Sequence, residues 1–522
     1  MGAVSSQASH HLIAVSGHVP FQEGPRHTHQ PRRWAHFRHV APGLPALAHG
    51  GPLLRLSCSK AAMGSPRGAA ASLLLVFLAL LSPGTQLVTH ASDVPAAVTS
   101  PVLAWPPVAA PQPLFLDWLP VNITASAPRP GPITHFIQRA GTQFVVASAA
   151  NTPGAAQDSC DVFNFVGVNA FWLMLRAADP LGRGDVLHVL DSAAAMGLTV
   201  LRTWAFADGT ATWRALQRSP GVYDESTFQG LDFVIHQAGL RGMRVLLAFG
   251  NAWQHYGGID QYNQWSFEAG AGKCNGQLAC RDDFWRDSYA AELYKNHIRA
   301  VLLRVNTFSG RVYRDDPTLF GFDLMNEPRS TADLYITQRK AATGPVYNLT
   351  FNNGSAAQDW LADMAAWTKS LDPVHLLTVG SEGFFGPTTP LYQYANPGPW
   401  ASLLGVDFVA NHKAKGIDFA STHIYVDQWF CTEKGATSAG QLAFFNDWLE
   451  AHIQAAEEEL QMPLVLEEFG ARLDTGQRGM LYQAAFDAFA ASAQRRGAAG
   501  GVMFWCVFCL SHPPGLSHLA AC

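Results

Sequence analysis

The sequence predicts an α/β fold and, within that class, a (β/α)8 TIM barrel. Three observations carry the expectation. Eight short apolar runs are separated by stretches of helical period, the pattern of parallel strands joined by right-handed crossovers. Two of the runs end on a glutamate. Asn326-Glu327-Pro328 closes Leu319-Phe320-Gly321-Phe322-Asp323-Leu324-Met325, and Glu468 lies near the end of Pro463-Leu464-Val465-Leu466-Glu467-Glu468-Phe469-Gly470. Polar residues that break the other runs also fall at strand C-termini, where a barrel assembles its site.

In chain order, residues 1–62 carry eight histidines, six Lys or Arg and one acidic residue, Glu23. With no sustained period, they read as a disordered extension or as a gene-model extension that is never made. Residues 63–91 read as a secretory signal, with Arg67 as the charged start and Ala69–Leu81 as the apolar segment. That segment is short for a bilayer span, so stable membrane insertion is not expected, and a signal-anchor is the alternative. Residues 92–132 are rich in Pro and Ala and read as a linker. The catalytic barrel is expected over 133–522.

The expected strands are 165–169, 199–202, 244–249, 319–324, 376–379, 419–423, 464–468 and 501–505. Helices are expected over 183–196, 225–241, 285–306, 356–370, 438–460 and 476–496. A doubly wound open sheet is the fallback, but no Gly-rich dinucleotide turn follows the first strand. After Trp505 only a Pro- and Gly-broken tail remains. The barrel is therefore expected to lack its closing helix, with an open seam against the first strand.

Composition narrows the function classes. The formal charge of -5 gives no electrostatic case for nucleic acid. Fifteen tryptophans exceed what packing needs, and surplus aromatics suit sugar stacking. Of eight cysteines, Cys160, Cys274, Cys280, Cys431, Cys506 and Cys509 fall in the expected folded part. Cys274 and Cys280 bracket a short polar loop and can close a small disulfide; the remaining pairing is open. Metal binding by Cys506 and Cys509 finds no second pair with ligand spacing. Asn122, Asn348 and Asn353 head glycosylation triplets.

The candidate site follows from the strand ends. Two glutamates there are what acid/base-plus-nucleophile cleavage of a glycosidic bond requires. Arg202 closes the second run. His423 and Tyr425 alternate onto one face of Ser421-Thr-His-Ile-Tyr425, and Trp505 ends the last run. The same alternation predicts that Glu467 points away from Glu468.

These residues, with their order and spacing, resemble the plant-type endo-β-mannanases of glycoside hydrolase family 5 from about Phe136 to Trp505. The resemblance rests on Phe165-Val-Gly-Val-Asn-Ala-Phe-Trp172, Leu201-Arg-Thr-Trp-Ala-Phe-Ala-Asp-Gly209 and Leu324-Met-Asn-Glu-Pro-Arg329. It continues through Gly380-Ser-Glu-Gly-Phe-Phe-Gly386, Ser421-Thr-His-Ile-Tyr425 and Glu468-Phe-Gly470. It implies a secreted, extracellular enzyme cutting β-1,4-mannosidic bonds in mannan, glucomannan or galactomannan with retention. Glu327 would be the acid/base and Glu468 the nucleophile. Asn326 would bond the sugar 2-hydroxyl, Arg202, His423 and Tyr425 would hold the nucleophile, and Trp505 would be the sugar platform. Trp204 and Trp429, with Trp172 and Trp253, are expected to line the cleft.

Phe171 stands where the family usually has Tyr, Gly250-Asn251 where paired asparagines often precede Trp253, and Val426 where proline is frequent. A β-1,4-glucanase, a mannan transglycosylase and a non-catalytic glycan-binding barrel are the alternatives. No metal or organic cofactor is implied, because two carboxylates suffice for the chemistry. The polysaccharide is the expected partner, with the enzyme a monomer.

Overall fold

The computed structural model describes residues 132–147, 161–210, 212, 214–329, 355–430, 437–471 and 475–505. The expected signal segment, the glycosylation triplets, Cys160, Cys431, Cys506, Cys509 and the tail beyond Trp505 lie outside these residues.

A hairpin, β1 (Ile137–Ala140) and β2 (Gln143–Val146), precedes the first barrel strand, β3 (Phe165–Asn169). Then come β4 (Val200–Trp204), a small ribbon of β5 (Gln217–Ser219) and β6 (Val222–Tyr223), β7 (Arg244–Ala248) and β8 (Leu319–Asp323). The last four strands are β9 (Leu376–Thr378), β10 (Ala420–Ile424), β11 (Leu464–Phe469) and β12 (Ala499–Phe504). Eight of the twelve form one parallel sheet in the order β10-β11-β12-β3-β4-β7-β8-β9. All eight expected barrel strands are present, each within two residues of its expected bounds.

The seam does not lie where the short tail predicted it. β12 pairs with β3 from Gly501↔Phe165 to Phe504↔Val168. The edge without a continuous ladder is β9 against β10, and individual bonds cross it. The Asp418 amide donates to Leu377 O at 2.8 Å and the His423 amide to Glu382 O at 2.9 Å. Ser421 Oγ accepts from the Gly380 and Ser381 amides at 3.1 and 3.2 Å. The ring is nearly closed.

Seven barrel strands and the residue just before β10 contribute to an apolar layer inside the ring: Phe165, Val200, Leu246, Phe320, Leu376, Phe419, Val465 and Met503. Phe144 of the hairpin packs into that layer, its ring 5.2 Å from Phe320 and 5.5 Å from Phe419. The hairpin thus plugs one end of the barrel. Its Gly141-Thr142 turn has φ +61° at Gly141, a conformation glycine adopts without steric cost.

Outward residues pack against helices. In Glu225–Gly239, Phe228, Leu231, Ile235 and Ala238 recur every three or four positions and are buried, a stripe that faces the sheet. The Asp224 side chain caps this helix by accepting from the Thr227 amide at 3.1 Å. The helix expected over 438–460 is α-helical only over Ser438–Ala455, then widens to a π turn over Ala456–Leu460. Cys274 and Cys280 form the expected disulfide, with Cα atoms 5.4 Å apart. Among the described residues no helix is long and apolar enough to cross a membrane.

Candidate active site

Above the apolar layer the barrel interior turns polar. Asn169 from β3, Arg202 from β4, Asp323 from β8, His423 from β10 and Glu467 from β11 are all buried there. Arg202 organises them. Its Nε donates to Asp323 Oδ2 at 2.7 Å, Nη1 to Asn169 Oδ1 at 3.1 Å and to Glu468 Oε1, and Nη2 to Asn326 Oδ1 at 2.9 Å. A planar fork with several fixed donors suits this task better than a lysine would. Burial works against its charge, but Asp323, Glu468 and Glu467 outweigh burial and raise its pKa.

Asn326 and Glu327 lie just past β8, after Leu324 and Met325. Asn326 bridges to Asn251, and its Nδ2 donates to Asn251 Oδ1 at 3.0 Å. Glu327 has φ +50°, a strained value for a residue with a Cβ. Its amide is held by Gly380 O at 2.7 Å. The Trp253 indole N–H donates to Glu327 Oε2 at 2.5 Å, and His423 Nδ1 lies 3.0 Å from Oε1. Arg329 stacks on Trp253 at 4.4 Å and pairs with Glu382 at 3.2 Å. Burial pushes the Glu327 carboxyl up, yet His423, Arg329 and Trp253 together hold it below the ordinary range.

Tyr425 donates to Glu468 Oε2 at 2.5 Å. Burial and the Glu468 charge keep that phenol protonated well above its usual range. His423 is pushed up to about 10: burial opposes its charge, but Glu468, Glu327 and Glu467 surround it. One oxygen of Glu327, one oxygen of Glu468 and one nitrogen of His423 all lie within 4.8 Å of one another.

Glu467 departs from the expectation. It does not turn away from Glu468; its Oε2 lies 3.3 Å from His423 Nε2 and 3.9 Å from Arg202 Nε. The cause is a β-bulge. Thr422 pairs with Leu466 and His423 with Glu468, which leaves Glu467 as the extra residue. Such an insertion interrupts the alternation and re-aims side chains.

The expected residues Glu327, Glu468, Arg202, Asn326, His423 and Tyr425 converge on this cluster. Trp505 stands half-buried at the end of β12, its ring parallel to Phe171 at 5.3 Å. Trp204 is a correction. At 6% exposure it is wedged between Phe171 and Phe206, each 4.7 Å away, and presents little surface to a sugar. Trp429 is partly buried against Phe384 and Trp448, with its ring 6.3 Å from Tyr425. Sequence reasoning missed Asn169, Asn251, Asp323, Glu382 and the specific role of Trp253. The position of Asn169 and Asp323 at strand C-termini was the available signal.

Comparison with known proteins follows the same lines. The family model described as GH family 5 beta-mannosidase-like matches residues 143–518. The chain is 41% identical over 344 residues to mannan endo-1,4-beta-mannosidase 7 of Arabidopsis thaliana, covering 65% of this chain and 73% of that one. It is 40% identical over 375 residues to mannan endo-1,4-beta-mannosidase 1 of Oryza sativa subsp. japonica, covering 71% and 78%. Among solved structures, the hyperthermostable endo-1,4-beta-D-mannanase of Thermotoga petrophila RKU-1 superposes with a TM-score of 0.53. That match is 28% identical and covers 66% of this chain and 88% of the other. The endo-1,4-beta-mannanase of Rhizomucor miehei gives 0.53 at 25% identity, covering 71% and 90%. With a matching model across most of its length and plant relatives near 40% identity, the chain belongs to glycoside hydrolase family 5, in the beta-mannosidase-like group.

Proposed function

We propose that this protein is a secreted, endo-acting hydrolase of β-1,4-mannosidic bonds in mannan, glucomannan and galactomannan, working with retention of configuration. The observation that carries the mechanism is the carboxyl pair, with an oxygen of Glu327 and one of Glu468 within 4.8 Å. Retaining enzymes place the two groups about 5–5.5 Å apart, whereas inverting ones leave about 6.5–9.5 Å for a water. The short separation favours retention.

Glu468 attacks the anomeric carbon and forms a glycosyl ester, while Glu327 protonates the departing oxygen. Water then attacks the ester as Glu327 takes its proton, and Glu468 leaves as a carboxylate. Arg202 and Tyr425 bond Glu468 in its charged form and aim it. Asn326 has a second amide N–H to offer the sugar 2-hydroxyl. In the free site Glu327 is already in the ionised state that the second half-reaction needs. The proton for the first half resides on His423 and reaches Glu327 across their 3.0 Å hydrogen bond. Trp505, backed by Phe171, is the sugar platform.

Secretion, with removal of residues 63–91, and action as a monomer belong to the same reading. N-terminal sequencing of the protein recovered from medium tests the first, and light scattering the second.

The central test is reducing-end release from glucomannan, galactomannan and a β-1,4-glucan. Glu327→Ala is expected to lose about 10²–10⁴-fold, and Glu468→Ala to lose turnover on every substrate. Faster release from the glucan would move the substrate and keep the mechanism. A folded wild-type protein that binds the polymers without cleaving them would overturn the enzyme reading.

A further inference from the structure

Two buried carboxyls of the cluster have no part in the reaction just described. Glu467 Oε2 faces His423 Nε2 and Arg202 Nε, and Asp323 Oδ2 accepts from Arg202 Nε. Their other oxygens, Glu467 Oε1 and Asp323 Oδ1, are buried and lack any donor. The two carboxyls crowd one donor, Arg202 Nε, with Asp323 Oδ2 at 2.7 Å and Glu467 Oε2 at 3.9 Å. Two acceptors can bond only when one of them carries a proton.

We propose that Asp323 and Glu467 share one proton beneath the reacting carboxyls, and that the pair positions His423 and Arg202 for Glu327 and Glu468. Charge counting supports it. Four carboxyls, Asp323, Glu327, Glu467 and Glu468, surround two cations, Arg202 and His423. With one proton in the pair and His423 carrying the proton that it passes to Glu327, three carboxylate charges face the two cations, where four would without the shared proton. That is the state that starts the reaction, so the inference rests on the roles given above to Glu327 and Glu468.

The bulge makes the pair possible, because only the extra residue in β11 brings Glu467 inward beside Glu468. Asp323 is the member that holds the proton. Burial and the Glu467 charge push it up to about 8 against the pull of Arg202, while Arg202 and His423 hold Glu467 below its ordinary value despite burial.

The other groups facing the pair do not compete for this proton. Tyr294, near Asp323, stays protonated and donates to Leu324 O at 2.7 Å. His412, near Glu467, is pushed down to about 4 by burial and is neutral. Glu382 faces Glu327 and His423 and pairs with Arg329. Losing the shared proton would put a second charge on Arg202 Nε and loosen the hold of Arg202 on Glu468. The alkaline limb of kcat/KM should therefore report Asp323.

Asp323→Asn and Glu467→Gln, with Glu468→Ala as the reference, separate the possibilities. An amide at 323 keeps a donor toward Glu467 and an acceptor for Arg202 but cannot ionise. Asp323→Asn is expected to lose no more than about tenfold in kcat, with its alkaline limb displaced upward. Glu467→Gln, which takes the charge from beneath His423, should lose about 10²-fold in kcat with KM little changed, the scale of a misplaced catalytic group. Carboxyl ¹³C NMR gives a readout independent of turnover. Wild type should show an aspartate titrating near pH 8, apart from Asp208 near 7, and Asp323→Asn should lose that signal. No such titration, or an Asp323→Asn alkaline limb that stays in place with a kcat as low as that of Glu467→Gln, overturns the shared proton. An active Glu468→Ala would instead overturn the catalytic roles, whatever the NMR shows.

Discussion

Glu327 concentrates the residue-scale argument. Its φ of +50° is paid for by three fixed partners: the Gly380 carbonyl on its amide, and the Trp253 indole and His423 ring on its carboxyl. Trp253 bonds the ionised form of Glu327 and so lowers its pKa. Trp253→Phe keeps the ring beneath Arg329 but removes that donor, and the Glu327 pKa should rise. Glu327 is the base of the second half-reaction, and a base with a raised pKa is ionised only at higher pH, so the acid limb of the ester-hydrolysis rate should move upward. A fall in kcat of about tenfold is expected at the optimum, below the full cost of losing the acid/base. An unmoved acid limb would contradict the assignment. Arg202, His423 and Tyr425 were legible in the sequence because a polar residue in an apolar strand needs a reason. Glu467 was not, because alternation assumes an unbroken ladder and the bulge that breaks it leaves no composition signal. Asp323 was hidden differently: between Phe322 and Leu324 it read as part of a strand, with its partner Arg202 distant in sequence.

Among the elements, the barrel strands were readable because each is a short apolar run between helical stretches, and their bounds held to within two residues. The N-terminal hairpin was overlooked. Its strands carry Gln138, Arg139 and Gln143 beside the apolar residues and lie next to a Pro-rich segment. The signal available was Gly141-Thr142, a two-residue turn with glycine first. The hairpin matters to stability because Phe144 closes the apolar layer built around the ring by seven strands and Phe419. Phe144→Ala would leave a cavity against Phe165, Phe320 and Phe419 and should cost about 3–5 kcal/mol. Denaturant unfolding measures that loss. Since Phe144 packs below the polar layer, kcat at temperatures where the variant is folded should stay near the wild-type value. A loss of kcat without a loss of stability would show that the hairpin acts on the site instead.

At the scale of the whole molecule, buried titratable groups set how stability follows pH, and they do not all pull the same way. Closure of the ring was misjudged from the sequence because the tail beyond Trp505 says nothing of β12, whose pairing to β3 uses residues before it. Burial, in the barrel interior and beneath the helices around it, is what shifts the pKa values. Burial pushes Asp208 up to about 7, and Asp323 and Glu382 up to about 8. Between their unfolded values and these, the folded chain holds more protons than the unfolded one, so each lowers stability as pH rises. His297, His412 and His452 are pushed down to about 4 by burial, and between there and their unfolded 6.5 they raise stability with pH. Three groups of each sign oppose one another from about pH 4 to 6.5, and a plateau is expected there. Above it the histidine contribution is complete, while Asp323 and Glu382 continue to lose stability up to about 8. His423, raised to about 10, joins them: its stabilising charge is fully present below 6.5 and is lost as pH rises through 10. The melting temperature should therefore fall steadily from about pH 7 to pH 9. Asp208→Asn is the cleanest control, since Asp208 bonds Gln217 at 3.1 Å, leaves Oδ2 without a donor and lies outside the catalytic cluster. That variant should be more stable than wild type at pH 8 and show a smaller difference at pH 4.5. Calorimetry across this range decides the matter: a melting temperature that is flat to pH 9, or an Asp208→Asn gain that does not grow with pH, would mean these carboxyls ionise inside the fold at little cost.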